Sequence, residues 1–76
     1  MRPLLTPWHR YADGWQRTLR APYLDAQVLP TGDVWRYDVR TIDNRIVDIG
    51  TRPTGEAARI AATAYLLDAL EGRSHE

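Results

Sequence analysis

The chain has 76 residues, a formal net charge of zero and no Cys, and its ten cationic side chains are all Arg. A chain of this length forms one small domain, and the missing thiols exclude disulfides, thiolate metal ligands and a cysteine nucleophile. Because the charges balance, the chain has no overall field that would attract nucleic acid or an anionic membrane surface.

The composition, 43% apolar and 26% charged, is that of a globular domain. We expect one domain over residues 1–76, with an N-terminal arm at 1–6 and a tail at 72–76. No apolar run approaches the ~18 residues of a membrane-spanning helix, and Pro3 and Pro7 interrupt the N-terminal apolar stretch, which favours a cytoplasmic protein without membrane contact. The exclusive use of Arg is typical of a GC-rich coding sequence, as in actinobacteria and their phages. Its alternative meaning is bidentate recognition of phosphate or carboxylate.

Residues 7–20 carry apolar side chains at the spacing of one helical face. These side chains are Trp8, Tyr11, Ala12, Trp15 and Leu19. Thr6 is a suitable cap and Pro7 suits the first helical position, so the pattern predicts a helix that packs onto the domain through its two Trp side chains. In that case Gly14→Ala stabilises the helix; alternatively, Gly14 divides the segment into a turn and a short strand. Without a docked helix, both Trp side chains become exposed aromatic anchors of an interface.

Three strands are predicted in the middle of the chain, over residues 21–30, 34–41 and 45–52. The first lies between two prolines, which suits an edge strand because a missing N–H is harmless there. Turns at residues 31–33 and 43–44 join the strands into hairpins. The apolar side chains that alternate along the strands are Leu24, Ala26 and Val28, then Trp35, Tyr37 and Val39, then Val47 and Ile49.

The last part of the chain, residues 54–70, predicts a closing helix. Thr54 is its cap, Glu56 lies near the positive end of the helix dipole, and Gly72 is a suitable stop. The predicted buried stripe consists of Ala57, Ile60, Ala61, Ala64 and Leu67. The expected fold class is α+β, with a three-stranded antiparallel sheet and both the N-terminal and the C-terminal helix packed on one of its faces.

The stretches "APYLDAQVLPTGDVWRYDV" and "GEAARIAATAYLLDAL" resemble the double-stranded-RNA-binding domain. They share with that family a first strand containing Pro and Tyr, a Gly-containing hairpin, an alternating second strand and an Ala-rich last helix. The resemblance covers residues 7–71 and implies the order helix–strand–strand–strand–helix. The family's Lys cluster at the start of the last helix is replaced here by Glu56 and Arg59, and its hairpin His is missing from residues 31–33. RNA binding is therefore not implied.

The stretch "VWRYDVRTIDNRIVDIGTRPTGEAARIAATAYLL" is similar to the plant-type AP2 DNA-binding domain and to the arm-binding domains of phage integrases. Those domains bind DNA through the exposed face of a three-stranded sheet. This second resemblance implies a βββα unit and, as an alternative function, DNA recognition by the polar face of the sheet.

The exposed face of the predicted sheet is the candidate binding surface. Its candidate binding residues are Arg36, Arg40, Arg45, Arg52, Ile46 and Gln27. Asp25, Asp38 and Asp48 share this face and oppose the approach of phosphates, so the mixed charge favours a protein partner over nucleic acid. A solvated face with cross-strand ion pairs and no ligand explains the same pattern.

Residue types needed for catalysis or metal binding are scattered along the sequence. His9 and His75 are separated by most of the chain and no Cys accompanies them, so no metal site is predicted. Ser74 lies beside His75 in the tail, away from a rigid scaffold, and the sequence has no Gly-rich phosphate loop. We therefore expect no enzyme activity, no catalytic residue and no cofactor.

Together these features predict a small, non-enzymatic regulatory or accessory protein, phage- or mobile-element-encoded, that acts by contact with a protein partner. A homodimer is left open. The alternative is a nucleic-acid-binding module that uses Arg36, Arg40, Arg45 and Arg52.

Overall fold

The computed structural model describes residues 4–20 and 23–72, which form one antiparallel sheet and one helix. The strands are β1 (Leu4–Leu5), β2 (His9–Tyr11), β3 (Gly14–Arg20), β4 (Leu24–Thr31), β5 (Val34–Arg40) and β6 (Ile46–Arg52), and the helix is α1 (Gly55–Leu70). The six strands follow the order β1–β3–β4–β5–β6, and β2 also pairs with β3, beside β1. The chain thus forms a meander from β2 to β6, and α1 packs against β4, β5 and β6.

The predicted N-terminal helix is wrong, because residues 7–20 contribute strands β2 and β3. These strands pair with Tyr11 opposite Gly14, and a turn at Ala12 and Asp13 joins them, with Ala12 at φ 48°. Trp15 and Leu19, which are four residues apart, fit one face of a helix and also the alternate positions of a strand. The Asp13-Gly14 pair is in addition a typical hairpin turn. The pairing of β3 with β4 decides the outcome. The alternative of a turn followed by a strand is correct.

The segment predicted as an edge strand lies inside the sheet, between β3 and β5. β3 pairs with β4 from Leu24 to Val28, and Pro30 lies beyond this region, opposite Trp35 of β5. The missing N–H of Pro30 is therefore harmless in an interior strand; Pro22 lies outside the described residues. The sheet has six strands rather than three, because β1, β2 and β3 extend it beyond β4. The element order is not helix–strand–strand–strand–helix, although β4, β5, β6 and α1 follow the order βββα.

Part of the expected N-terminal arm belongs to the sheet. Leu4 and Leu5 pair with Arg20 and Leu19 of β3, and residues 1–3 lie outside the described range. At the other end of the chain, Gly72 has φ 77° and its N–H donates to the carbonyl oxygen of Ala69, which ends α1 as predicted. The remaining residues of the expected tail, 73–76, are also outside the described range.

The start of α1 is confirmed, but its predicted buried stripe is wrong. The hydroxyl oxygen of Thr54 accepts a 3.0 Å hydrogen bond from the Ala57 N–H, which is the expected cap. The side chains that are buried against the sheet are Ala58, Ala62 and Leu66. Ile60 is 63% exposed and Leu67 is 41% exposed. Of the predicted stripe, Ala61 still packs at the edge of the core, so the buried stripe is rotated around the helix toward Ala58, Ala62 and Leu66.

The core lies between α1 and one face of the sheet. The sheet contributes the buried side chains Leu19, Leu24, Ala26, Val28, Tyr37 and Val39, which confirms the predicted apolar sides of β4 and β5. Small residues on the inner side of α1 let its backbone approach these side chains. At the first turn of α1, a Cβ added to Gly55 would lie 3.3 Å from the Trp35 ring. The opposite side of the sheet, which α1 does not cover, is called the open face.

A β-bulge at the start of β6 changes which side chains face the helix. Val39 pairs with Asp48 while Arg40 pairs with Ile46, so Val47 is the extra residue. Beyond it, Ile49 pairs with Asp38 on the open face, where it is 50% exposed. The prediction of an inward Ile49 and an outward Asp48 and Arg52 is wrong, because one extra residue reverses the alternation. The inward Val47 and the outward Ile46 are confirmed.

Candidate functional site: a groove on the outer face of the helix

The two carboxylates of the open face, Asp25 and Asp38, are both held by neighbouring side chains. Asp38 is only 3% exposed and contacts two cations, since Arg40 Nε lies 3.1 Å from Oδ1 and Arg36 Nη2 lies 3.7 Å from Oδ2. On the neighbouring strands, Asp25 accepts hydrogen bonds from Gln16 Nε2 at 2.9 Å and from Thr18 Oγ1 at 3.1 Å. The open face is thus a cross-strand polar network in which Asp38 contacts both neighbouring Arg side chains and balances one of their two positive charges.

The structure brings together four of the six predicted binding residues. Gln27 pairs with Asp38, and Ile46 pairs with Arg40, so both share the open face with Arg36 and Arg40. Arg45 lies in the loop before β6. Arg52 pairs with Trp35 on the helix side, where its guanidinium lies 5.3 Å from the centroid of the Tyr37 ring. The Arg-bearing surface expected from the sequence is therefore divided between the two sides of the sheet.

A different surface, the outer face of α1, is apolar and concave. Ile60, Thr63, Ala64 and Leu67 form the floor of a groove of about 370 Å³, and Trp8 forms one wall. Glu56 and Arg59 line the groove at the first turns of the helix. We call these seven residues the helix groove. Its floor is apolar apart from the Thr63 hydroxyl, so it suits an apolar ligand side chain.

Polar contacts fix the Trp8 wall in place. The hydroxyl oxygen of Thr63 accepts a 3.2 Å hydrogen bond from Trp8 Nε1 and a 3.0 Å hydrogen bond from Arg17 Nη1. Arg17 also donates from Nε to the carbonyl oxygen of Thr6 at 2.7 Å, and its Cζ lies 5.6 Å from the Trp8 ring centroid. The indole is thus positioned before a ligand arrives, which lowers the entropic cost of binding.

The chain between β1 and β2 is what carries Trp8 to the helix. Thr6 is joined to Thr18 of β3 by three hydrogen bonds, one between the backbones at 2.9 Å and two through the Thr6 hydroxyl at 3.0 and 3.2 Å. Pro7 follows, with its φ restricted by the ring. These contacts hold the segment against β3 and leave Trp8 beside α1.

Arg side chains lie in and beside the groove, near the first turns of α1 and near its middle. The guanidinium of Arg59 lies 4.0 Å from the centroid of the Trp15 ring, and that of Arg10 lies 5.5 Å from the same ring. Burial lowers the pKa of Arg17 from its ordinary value, yet a guanidinium remains charged at neutral pH. Three Arg side chains therefore lie in or beside the groove, against the single groove carboxylate of Glu56, so positive charge is in excess there.

The sequence indicated one part of this groove and missed the other. Trp8 was expected to pack onto the domain or, without a docked helix, to be an exposed anchor; it is half-buried against the edge of the core and also lines the groove. Ile60 and Leu67 were expected in the core. The available signal was that residues 57–70 carry apolar side chains on more than one side of the helix, which is unusual for a helix with one solvated face.

The described residues contain no group of three His, Cys, Asp or Glu side chains that is placed to hold a metal ion. His9 is exposed on β2, while Ser74 and His75 lie outside the described range. Within the part of the chain that the structure describes, no helix is long and apolar enough to cross a membrane. No family model, no curated protein and no solved structure matches this chain.

Proposed function

We propose that the chain is a non-enzymatic binding domain whose helix groove receives an apolar segment of a partner protein. The observation that carries this proposal is the exposure of Ile60 (63%) and Leu67 (41%) beside the fixed indole of Trp8. Aromatic and large aliphatic side chains that meet in a concave site are the residues that dominate the binding energy of protein interfaces.

The spacing of the groove residues indicates what kind of partner segment would fit. Ile60 and Leu67 are separated by about 10 Å along the helix axis, which is two helical turns. A partner helix with apolar side chains at a similar spacing would contact both residues, and the small Ala64 between them allows a close approach. A carboxylate on the partner would be attracted to Arg59, the cation that lines the groove.

The contacts of the open face favour this function over nucleic-acid binding. Affinity for a duplex depends on cations that neutralise phosphates. Arg36 and Arg40 are instead close to the Asp38 carboxylate, and Arg52 lies on the other side of the sheet. The experiment below distinguishes a protein partner from a nucleic-acid ligand.

The test combines capture of the partner with a matched pair of variants. The tagged chain is incubated with an extract of its own host, with and without nuclease, and the captured proteins are compared with those bound by Ile60→Gln and Ile42→Gln. Ile42 is the control because it is 80% exposed and lies outside the groove. We expect capture that resists nuclease, survives Ile42→Gln and falls by a factor of about 10 or more in Ile60→Gln, as for an interface hot spot.

Two results would contradict the proposal. One is a partner that both variants retain equally. The other is capture that nuclease abolishes and that Arg36→Ala with Arg40→Ala weakens, which would support the nucleic-acid alternative. Thermal melting of each variant verifies that it is folded under the conditions of capture.

A further inference from the structure

The two edges of the sheet are built differently. The edge beside β3 is interrupted, since β1 has two residues, β2 has three, and Pro7 lies between them. The edge formed by β6 is continuous over seven residues, and no described residue pairs with its outer side. An edge strand of this length presents unpaired backbone N–H and C=O groups to any strand that approaches.

The side chains of β6 are complementary to a second copy of β6. In an antiparallel pair about a two-fold axis at Gly50, Asp48 of one copy lies opposite Arg52 of the other, and the same pair recurs on the far side of the axis. Both side chains lie on the helix side of the sheet, because they pair with Val39 and Trp35 of β5. Two opposite-charge cross-strand pairs therefore form from one pair of residues.

We propose that two copies of the chain associate through β6, with the two-fold axis at Gly50, to form one continuous antiparallel sheet. On the open face, this register sets Ile49 opposite Thr51 of the second copy and diagonally beside the second Ile49. Ile49 is 50% exposed in the single chain, so pairing removes an apolar side chain from water. The axis is perpendicular to the sheet, and both helices lie on the same side.

Features at the two ends of β6 define the length of the pairing. The bulge at Val47 bends the strand before Asp48, and Pro53 has no N–H to continue the ladder after Arg52. The paired region is therefore residues 48–52. This is a small interface, so we expect a reversible dimer with a dissociation constant in roughly the micromolar range or weaker.

Gly50 suits the position on the two-fold axis. Within one chain this position already needs glycine, because the Tyr37 ring leaves no room for a side chain. A Cβ at Gly50 would lie 2.8 Å from Tyr37 Cε1 and 2.9 Å from the Tyr37 hydroxyl oxygen. The Tyr37 ring thus lies across Gly50 on the helix side, between Asp48 and Arg52. Arg52 lies over the same ring and donates from Nη1 to the Thr51 carbonyl oxygen at 2.7 Å, so its side chain stays along the strand.

Charged side chains on an edge strand also serve to prevent association. Charges that prevent association and charges that promote it differ in sign. Like charges on the strand would repel a second copy in every register, whereas Asp48 and Arg52 attract each other in the register about Gly50. A charge exchange separates these roles. Asp48→Arg and Arg52→Asp each set like charges opposite one another, and the double variant restores opposite charges in reversed order.

The experiment measures the dissociation constant of the dimer by sedimentation equilibrium, at chain concentrations up to about 1 mM. We expect each single variant to weaken the dimer by roughly tenfold or more and the double variant to recover most of the loss. Asp33→Arg, in the turn between β4 and β5, is the control for a change in net charge and should leave the dimer unchanged. In NMR spectra, the concentration-dependent amide shifts should centre on residues 48–52.

The proposal is overturned if the parent stays monomeric at 1 mM, if single reversals leave the dimer intact, or if the double variant stays as weak as the singles. Thermal melting at low concentration separates unfolding from dissociation, which matters for Arg52→Asp because the change also removes the contact with Tyr37. Ile60→Gln should not affect the dimer. A dimer that Ile60→Gln dissolves would place the contact on the helix groove and contradict the β6 interface.

Discussion

The two sides of α1 are both apolar, yet they differ in the size and exposure of their side chains. The inner side presents Ala58, Ala62 and Leu66, which are all fully buried. The outer side presents Ile60, Ala64 and Leu67, of which the two large residues are 63% and 41% exposed, respectively. Hydrophobicity alone does not decide which side faces the sheet. The inner side combines the small Ala58 and Ala62, which let the helix backbone approach the sheet, with Leu66, which fills the remaining space.

Truncation of two adjacent leucines, one on each side of α1, should give the largest difference in stability between the two sides. Leu66→Ala removes a side chain with no exposed surface and leaves a cavity, so the free energy of unfolding should fall by about 2–5 kcal/mol. Leu67→Ala, the matched change on the outer side, should cost less than about 1 kcal/mol, since this side chain is 41% exposed. Urea denaturation of the two variants and the parent measures both values. Equal losses would mean that the orientation of α1 is wrong.

A second pair of variants enlarges a side chain on each side of α1 instead of truncating one. Ala62→Leu inserts a large side chain where α1 lies against the sheet, and overpacking should lower the free energy of unfolding by about 1–3 kcal/mol. Ala64→Leu places the same side chain at an exposed position and should change stability by less than about 0.5 kcal/mol. Thermal melting distinguishes the two. A stable Ala62→Leu variant would show that the close approach of the helix is not required.

The fold could be predicted from the sequence where local signals and tertiary contacts agree. The Thr54 cap, the Gly-containing turn at residues 31–33 and the alternation along β5 each depend on neighbouring residues, and all three are confirmed. The orientation of α1 depends on which of two apolar stripes fits the sheet more closely. That fit is a property of the assembled layers, so periodicity in the helix sequence did not reveal it.

The candidate site was harder to predict because one residue changes the face of a whole strand segment. The bulge at Val47 moves Arg52 from the open face to the helix side, and it exposes Ile49. Nothing in the sequence of β6 marks this extra residue. The groove was missed for a second reason, since its Trp8 wall depends on a contact with Thr63, which lies far along the chain.

A close approach at Gly14 reverses one expectation that depended on the predicted helix over residues 7–20. In a helix, Gly14→Ala would be stabilising. In the structure, a Cβ at Gly14 would lie 2.4 Å from Leu29 Cδ2 and 2.8 Å from the Val28 carbonyl oxygen. The Leu29 side chain can move aside but the backbone of β4 must shift, so we expect a loss of about 1 kcal/mol. Urea denaturation gives the sign, and a gain in stability would contradict the β2–β3 hairpin.

For Ile60 a small effect on stability is expected, and a small effect distinguishes a binding residue from a packing residue. A residue kept for packing loses stability when it becomes polar, whereas a residue kept for binding loses only its partner. Because Ile60 is 63% exposed, Ile60→Gln should change the free energy of unfolding by no more than about 0.5 kcal/mol. The same variant should lose the captured protein. Thermal melting beside the capture assay measures both properties, with Ile42→Gln as the control for an exposed aliphatic side chain outside the groove. If Ile60→Gln instead destabilised the chain as strongly as Leu66→Ala, Ile60 would belong to the core, and the distinction between the two sides of α1 would fail.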